Sequence, residues 1–142
     1  MNSSKQPVGS MTVQHHIGGQ VVTLHTTSFR FFPKGEKFAL LAYFGNDGEE
    51  APVLQLKCSS KLTTGTYPIE IKESESTVSA TWGVGTLEGL FGVRGTGEIE
   101  LKKFSSSLTA NLIEGSLSFR IKESGVPEEQ KVVVEEFKVE EK

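Results

Sequence analysis

The chain is poor in the residues from which most catalytic and metal sites are built. It has one cysteine, Cys58, in 142 residues, so an internal disulfide and a thiolate metal cluster are both excluded. Its only aspartate is Asp47, whereas calcium loops need several Asp or Asn at short spacing. Arginine occurs only at Arg30, Arg94 and Arg120, and phosphate and base recognition leans on the planar guanidinium fork. The longest unbroken apolar run, Phe38 to Phe44, is seven residues, far short of the roughly 18 that suggest a membrane-spanning helix. No transmembrane segment is expected. Nor do the first ten residues hold the apolar stretch of a secretory signal. The expected location is therefore cytoplasmic if the chain is complete, and periplasmic or cell-surface if a signal segment has been removed.

The charge is nearly balanced. Fifteen Lys and Arg stand against eighteen Asp and Glu, a formal charge of -3, and Glu135 to Lys142 holds four Glu and two Lys, which is -2 of it. The remaining body has no basic field to attract a phosphate backbone, so nucleic acid is not an expected partner.

What the chain does have is strand punctuation. Fifteen glycines are scattered between short apolar stretches that alternate with polar residues, and no stretch of about 11 residues keeps a helical apolar period free of Gly and β-branched clusters. Met11 to Ile17 and Gln20 to Thr27 flank Gly18-Gly19, a two-residue connection suited to a tight hairpin. Pairing Ile17 with Gln20 sets Val13 opposite Leu24 and His15 opposite Val22. Phe29 to Phe32 ends at a Pro33-Lys34-Gly35-Glu36 turn. Lys37 to Phe44 is apolar on both faces, as a strand covered from two sides would be. Gly45-Asn46-Asp47-Gly48 turns the chain into Pro52 to Cys58, which brings Val53, Leu54 and Leu56 to the core. Tyr67, Ile69 and Ile71 mark a half-buried strand, and Thr77 to Trp82 forms another. Gly83 to Gly97 carries six Gly in fifteen residues and is expected to be a long mobile connection. Glu98 to Phe104, Leu108 to Ile113 and Leu117 to Ile121 follow as strands, with Leu108, Ala110 and Leu112 sharing a face and Gly115 breaking the parity as a β-bulge would. After a Gly125-Val126-Pro127 turn, Lys131 to Val139 is the last strand.

This pattern predicts an all-β domain, a single antiparallel β-sandwich of 8–10 short strands spanning residues 11–139. Residues 1–10 are expected to be a disordered N-terminal segment and 140–142 a frayed acidic tail. The alternative is a closed calycin-like β-barrel holding an apolar ligand against Phe31, Phe38, Phe44 and Trp82. One internal echo stands out: residues 65–74 and 115–124 match at five of ten positions.

Gly65-Thr66-Tyr67, then Gly97-Glu98-Ile99-Glu100-Leu101, then Gly115-Ser116-Leu117-Ser118-Phe119, followed by a final strand, resembles a group of uncharacterised bacterial β-sandwich domains. In that group G-T-Y, G-x-I-x-I and G-T-F-x-F strands recur in this order. The resemblance spans roughly Phe38 to Val139 and implies a surface-associated domain with no catalytic residue to carry over. The chain departs from the group in showing no signal or lipid-attachment Cys near its start.

Candidate sites are few. His15 points to one face of the first hairpin while His16 and His25 point to the other, about 13 Å apart along the strands at the usual rise, so the histidines do not converge on a metal. No G-x-S-x-G elbow occurs, and Ser105-Ser106-Ser107 falls in a hairpin loop. Cys58, at the end of an alternating strand, behaves as a small hydrophobe. The glycine-rich stretch lacks the phosphate-loop spacings. Trp82 lies beside that stretch and Phe91 within it, and together with Arg94 and Tyr43 they are the candidate ligand-binding residues. The expected function is a non-enzymatic binding module with no cofactor and no metal, its partner a protein, a glycan or a small apolar ligand. The apolar last strand, Lys131 to Val139, is expected at a sheet edge, giving a monomer or weak dimer held apart by its glutamates.

Overall fold

A computed structural model describes residues 7–32, 36–46, 48–107, 110–122, 125 and 128–141. Eleven strands are described: β1 (Val8–Ile17), β2 (Gln20–Thr26), β3 (Ser28–Phe31), β4 (Lys37–Tyr43), β5 (Ala51–Ser59), β6 (Gly65–Ile69), β7 (Ser79–Thr86), β8 (Gly89–Arg94), β9 (Thr96–Ser106), β10 (Asn111–Ile121) and β11 (Gln130–Glu141). They form two antiparallel sheets, one in the order β2-β1-β11-β10-β9-β6 and one in the order β3-β4-β5-β7-β8. This is a β-sandwich, not a closed barrel. Phe31, Phe38, Phe44 and Trp82 do not ring a barrel cavity: they pack against one another, with centroids 5.6 Å apart for Phe31–Phe38 and 5.8 Å for Phe44–Trp82.

The β1–β2 register follows from its turn. Gly18 and Gly19 take φ of 57° and 79°, the left-handed pair that closes a two-residue hairpin with the right twist. The pairs Ile17–Gln20, His15–Val22 and Val13–Leu24 then follow. The Pro33-Lys34-Gly35 portion of the next expected turn, Asp47, Leu108 and the Val126-Pro127 pair lie outside the described residues, as do residues 1–6 of the expected N-terminal segment.

Two aromatic bridges join the sheets across the core. Phe104 of β9 meets Phe38 of β4 edge-on at 5.0 Å, and His15 of β1 meets Trp82 of β7 at 5.3 Å. Between them Val13, Leu54, Ala80, Ile99, Phe119, Val132 and Val139 are buried in one cluster. The chain changes sheet four times, at β2–β3, β5–β6, β6–β7 and β8–β9, and the first and last of these are tight corners. At the first, the Thr26 hydroxyl donates to the Tyr43 carbonyl and accepts from the Ser28 amide. At the last, Gly95 donates its amide to the Ala80 carbonyl.

The expectation that β4 is covered on both faces holds. Phe38, Leu40 and Ala42 join the main core, while Leu41 and Tyr43 form a second, smaller core with Val53, packed by Phe32, Ala51, Leu87 and Leu90.

Four expectations need correction. The last strand is not an edge, since β11 pairs with β1 on one side and β10 on the other. Its surplus of apolar residues serves a central strand, and both end strands run further than read, β1 starting at Val8 and β11 ending at Glu141. Second, residues 111–121 are one strand whose inward side chains include Ile113 and Leu117, with Leu112 only half-buried. The irregularity at Gly115 lies in its neighbours: Gly115 and Leu117 face Phe137 and Val134, while Glu114 and Gly115 face Lys103 and Leu101. Both neighbouring strands spend an extra residue there, visible as the consecutive exposed pairs Lys102-Lys103 and Glu135-Glu136. Third, Ile71 lies beyond β6 and is exposed. Fourth, residues 83–97 are not a long connection but most of a strand pair and the start of β9.

The internal echo has a physical reading. β6 and β10 flank β9 in the same register: Gly65 and Gly115 both face Leu101, Tyr67 and Leu117 both face Ile99, and Ile69 and Phe119 both face Gly97. The shared register accounts for the Gly65–Gly115 match; the other four identities involve residues 71–74, which lie beyond β6.

Candidate functional site

The site is built on the glycine-rich segment. In β7 apolar residues alternate with glycine, Trp82-Gly83-Val84-Gly85, and β8 sets Leu90-Phe91-Gly92-Val93 against them. Alternation with period two makes a ribbon with two different faces. A two-residue turn, Leu87-Glu88, closes it between the paired Thr86 and Gly89, and the Thr86 hydroxyl accepts the Glu88 amide at 3.1 Å. Gly83 sits opposite Gly92, where an added Cβ on Gly83 would fall 2.1 Å from the Phe91 carbonyl oxygen. The glycines are thus what lets the two backbones approach, not a source of slack.

One face of the ribbon, through Leu87 and Leu90, packs on the second core. The Arg30 guanidinium also reaches the Leu87 carbonyl at 3.5 Å. The other face starts inside the sandwich, with Trp82 and Val93 on the main core, and continues outward through the cross-strand pair Val84–Phe91. There Val84 is 50% and Phe91 90% exposed. The ribbon is held at its base on one face by Trp82 and Val93 and near its turn on the other face by Leu87 and Leu90, and it presents a bare aromatic, Phe91, between the two.

The four candidate residues therefore play different parts. Phe91 is the exposed one. Trp82 is core, 6% exposed and packed between His15 and Phe44. Arg94 is committed to the segment before β7, donating to the Ile71 carbonyl at 3.0 Å and pairing with Glu73 at 3.6 Å. Tyr43 is buried and donates its hydroxyl to the Glu49 carbonyl at 2.5 Å, fastening the β4–β5 turn. Trp82 and Phe91 share a face of the ribbon, while Arg94 and Tyr43 do not join them in one pocket. Sequence reading missed Val84, although its place in the alternation after Trp82 was the available signal.

The histidines sit where the hairpin register puts them. The His15 ring donates from Nε2 to the Gln130 side-chain oxygen at 2.6 Å, and His25 hydrogen-bonds Thr12 at 2.9 Å. Among the described residues no group of three His, Cys, Asp or Glu is placed to hold a metal ion. Burial pushes the Cys58 thiol up from 9.0 to about 12, which leaves it protonated and unreactive at neutral pH. The Ser106 hydroxyl is bonded to Asn111 and the Ser107 hydroxyl to Ala110, so both serve the β9–β10 connection. Among the described residues, no helix is long and apolar enough to cross a membrane.

Fold and ribbon together define the class: an all-β two-sheet sandwich that displays an aromatic on an edge ribbon. Comparison of the chain with protein-family models, with curated proteins and with solved structures finds no match.

Proposed function

We propose that this protein is a non-enzymatic interaction module that holds an extended segment of a protein partner against β8. The observation that carries this reading is the Val84–Phe91 pair, left bare on a ribbon that is packed at its base on one face and near its turn on the other. An exposed aromatic on a rigid support supplies large contact area at little entropic cost on binding. β8 is also the edge of its sheet, and Gly89 to Val93 carries no charge and no proline. Such an edge offers unpaired N–H and C=O groups, to which a partner can add a strand, with side-chain contacts setting specificity.

Selection of a random peptide library on the wild-type protein tests the reading. The selected peptides are expected to be apolar and to bind the Phe91→Ser variant about thirtyfold more weakly, which corresponds to about 2 kcal/mol for a buried aromatic anchor. Peptides whose binding is indifferent to Phe91→Ser would show that the ribbon is not the interface.

A further inference from the structure

The longest stretch of the chain without Asp, Glu, Lys or Arg runs from Gln6 to Phe29, although such residues are frequent elsewhere in the sequence. It contains the whole of β1 and β2, the last two strands on one side of the six-stranded sheet, with β2 at its edge. Depletion of charge is the compositional mark of an interface core. β2 also lacks the other devices that keep edges apart: it has no proline, and its ladder with β1 runs from Met11–Thr26 to Ile17–Gln20 without a bulge. Val21 and Val22 are exposed on it.

The hairpin fixes which backbone groups of β2 are free. Gly18-Gly19 is a two-residue turn, so the flanking Ile17 and Gln20 bond to each other through their main chains, and along an antiparallel ladder such pairs alternate with unbonded ones. Val22 and Leu24 therefore spend their N–H and C=O groups on His15 and Val13, while those of Val21, Thr23 and His25 point away from β1. A second β2 laid antiparallel about a two-fold axis at Thr23 pairs Thr23 with its own copy and Val21 with His25 of the other copy. This register uses every outward group of both strands. It also matches the side chains. Val22 and Leu24 stand opposite His15 and Val13, on the side of the hairpin where Val13 is buried and His15 lies against Trp82, and Leu24 already packs on the main core. Across the axis Val22 of one copy meets Leu24 of the other, which continues the core over the seam. On the opposite side Thr23 meets Thr23, a favourable cross-strand pair.

We propose that two copies of this chain associate through β2 about this two-fold axis, joining their six-stranded sheets into one continuous sheet. No Asp, Glu, Lys or Arg of β1 or β2 is brought against a like charge at the seam, since neither strand has one. The shared strip is short, about 24 Å at the usual strand rise, so the dimer is reversible and forms at high concentration. β2 lies in the other sheet from β8, and the dimer does not rest on the function proposed for that edge.

Sedimentation equilibrium from about 10 μM to about 1 mM, with amide hydrogen exchange at both ends of that range, tests the assignment. The mean mass is expected to rise from one chain toward two and to level off there, because a two-fold pairing closes on itself. Over the same range the amides of Val21, Thr23 and His25 should gain protection, while those of Val22 and Leu24, already bonded to β1, should change little. Thr23→Pro removes an outward N–H at the axis and leaves the β1 ladder its bonds, and it should weaken association about tenfold. Val21→Lys, which puts a cation at the seam, should do the same, and Phe91→Ser should have no effect. A monomer throughout the range would overturn the proposal. So would growth past two chains, protection gained without the alternation, association weakened by Phe91→Ser, or association unchanged in either β2 variant that folds.

Discussion

Gly115 shows how a single position can govern three strands. A Cβ there would stand 1.9 Å from the Glu100 carbonyl oxygen, a contact that only backbone movement relieves. The extra residues in β9 and β11 sit beside it, so movement would disturb both ladders at once. Gly115→Ala is expected to destabilise the fold by about 1–3 kcal/mol, the usual cost of overpacking, which a urea titration would read as a lower midpoint with an unchanged slope. Cys58 makes a prediction of the opposite kind, since its thiol is held protonated up to about pH 12 against an ordinary value of 9.0. Over that window the unfolded chain releases the proton and the folded chain keeps it, so stability is intact below pH 9 and falls as pH rises toward 12. The Cys58→Ala variant should lose less stability than the wild type between pH 8 and pH 10. Alkylation of native Cys58 at pH 7.5 should be slow and should accelerate on unfolding in urea.

At the scale of elements, the four sheet edges differ in how they are guarded. β6 carries Pro68 and is bridged to the chain at Val78 just before β7. β3 is four residues long and carries Arg30. β2 and β8 have no such protection until Arg94: Gln20 to Thr26 is free of charge and proline, with Val21 52% and Val22 46% exposed. Uncharged edges of β-branched residues are where sheets join. Val21→Lys should suppress concentration-dependent association, measured by light scattering, while changing stability by less than about 0.5 kcal/mol. The glycine-rich ribbon makes a further test of element assignment, because strands paired on a packed base resist proteases and exposed connections do not. Trypsin should cut at Lys72, in the exposed segment between β6 and β7, before it cuts at Arg94. Early cleavage at Arg94 would mean that the ribbon is not held.

At the scale of the whole molecule, local features were legible in the sequence and non-local ones were not. The Gly18-Gly19 turn fixes the β1–β2 register by itself, and the doubly apolar run of β4 reveals its cover on both faces, because each is written in adjacent residues. Strand order within a sheet is written nowhere locally, which is why the apolar β11 reads as an edge and is in fact flanked by β1 and β10. The ribbon was hidden for another reason: glycine signals loops by its entropy, yet Gly83 and Gly92 serve close backbone approach instead. Of the candidate site, Phe91 was found from the sequence as an aromatic outside the core strands, but its partner Val84 depended on recognising the hairpin. The proposed function requires that hairpin to be the surface a partner meets. Amide hydrogen exchange, compared between the free protein and its complex with a selected peptide, measures this directly. New protection is expected in Gly89–Arg94, with Gln20–Thr26 unchanged. Protection gained at β2 while β8 stays as in the free protein would contradict it.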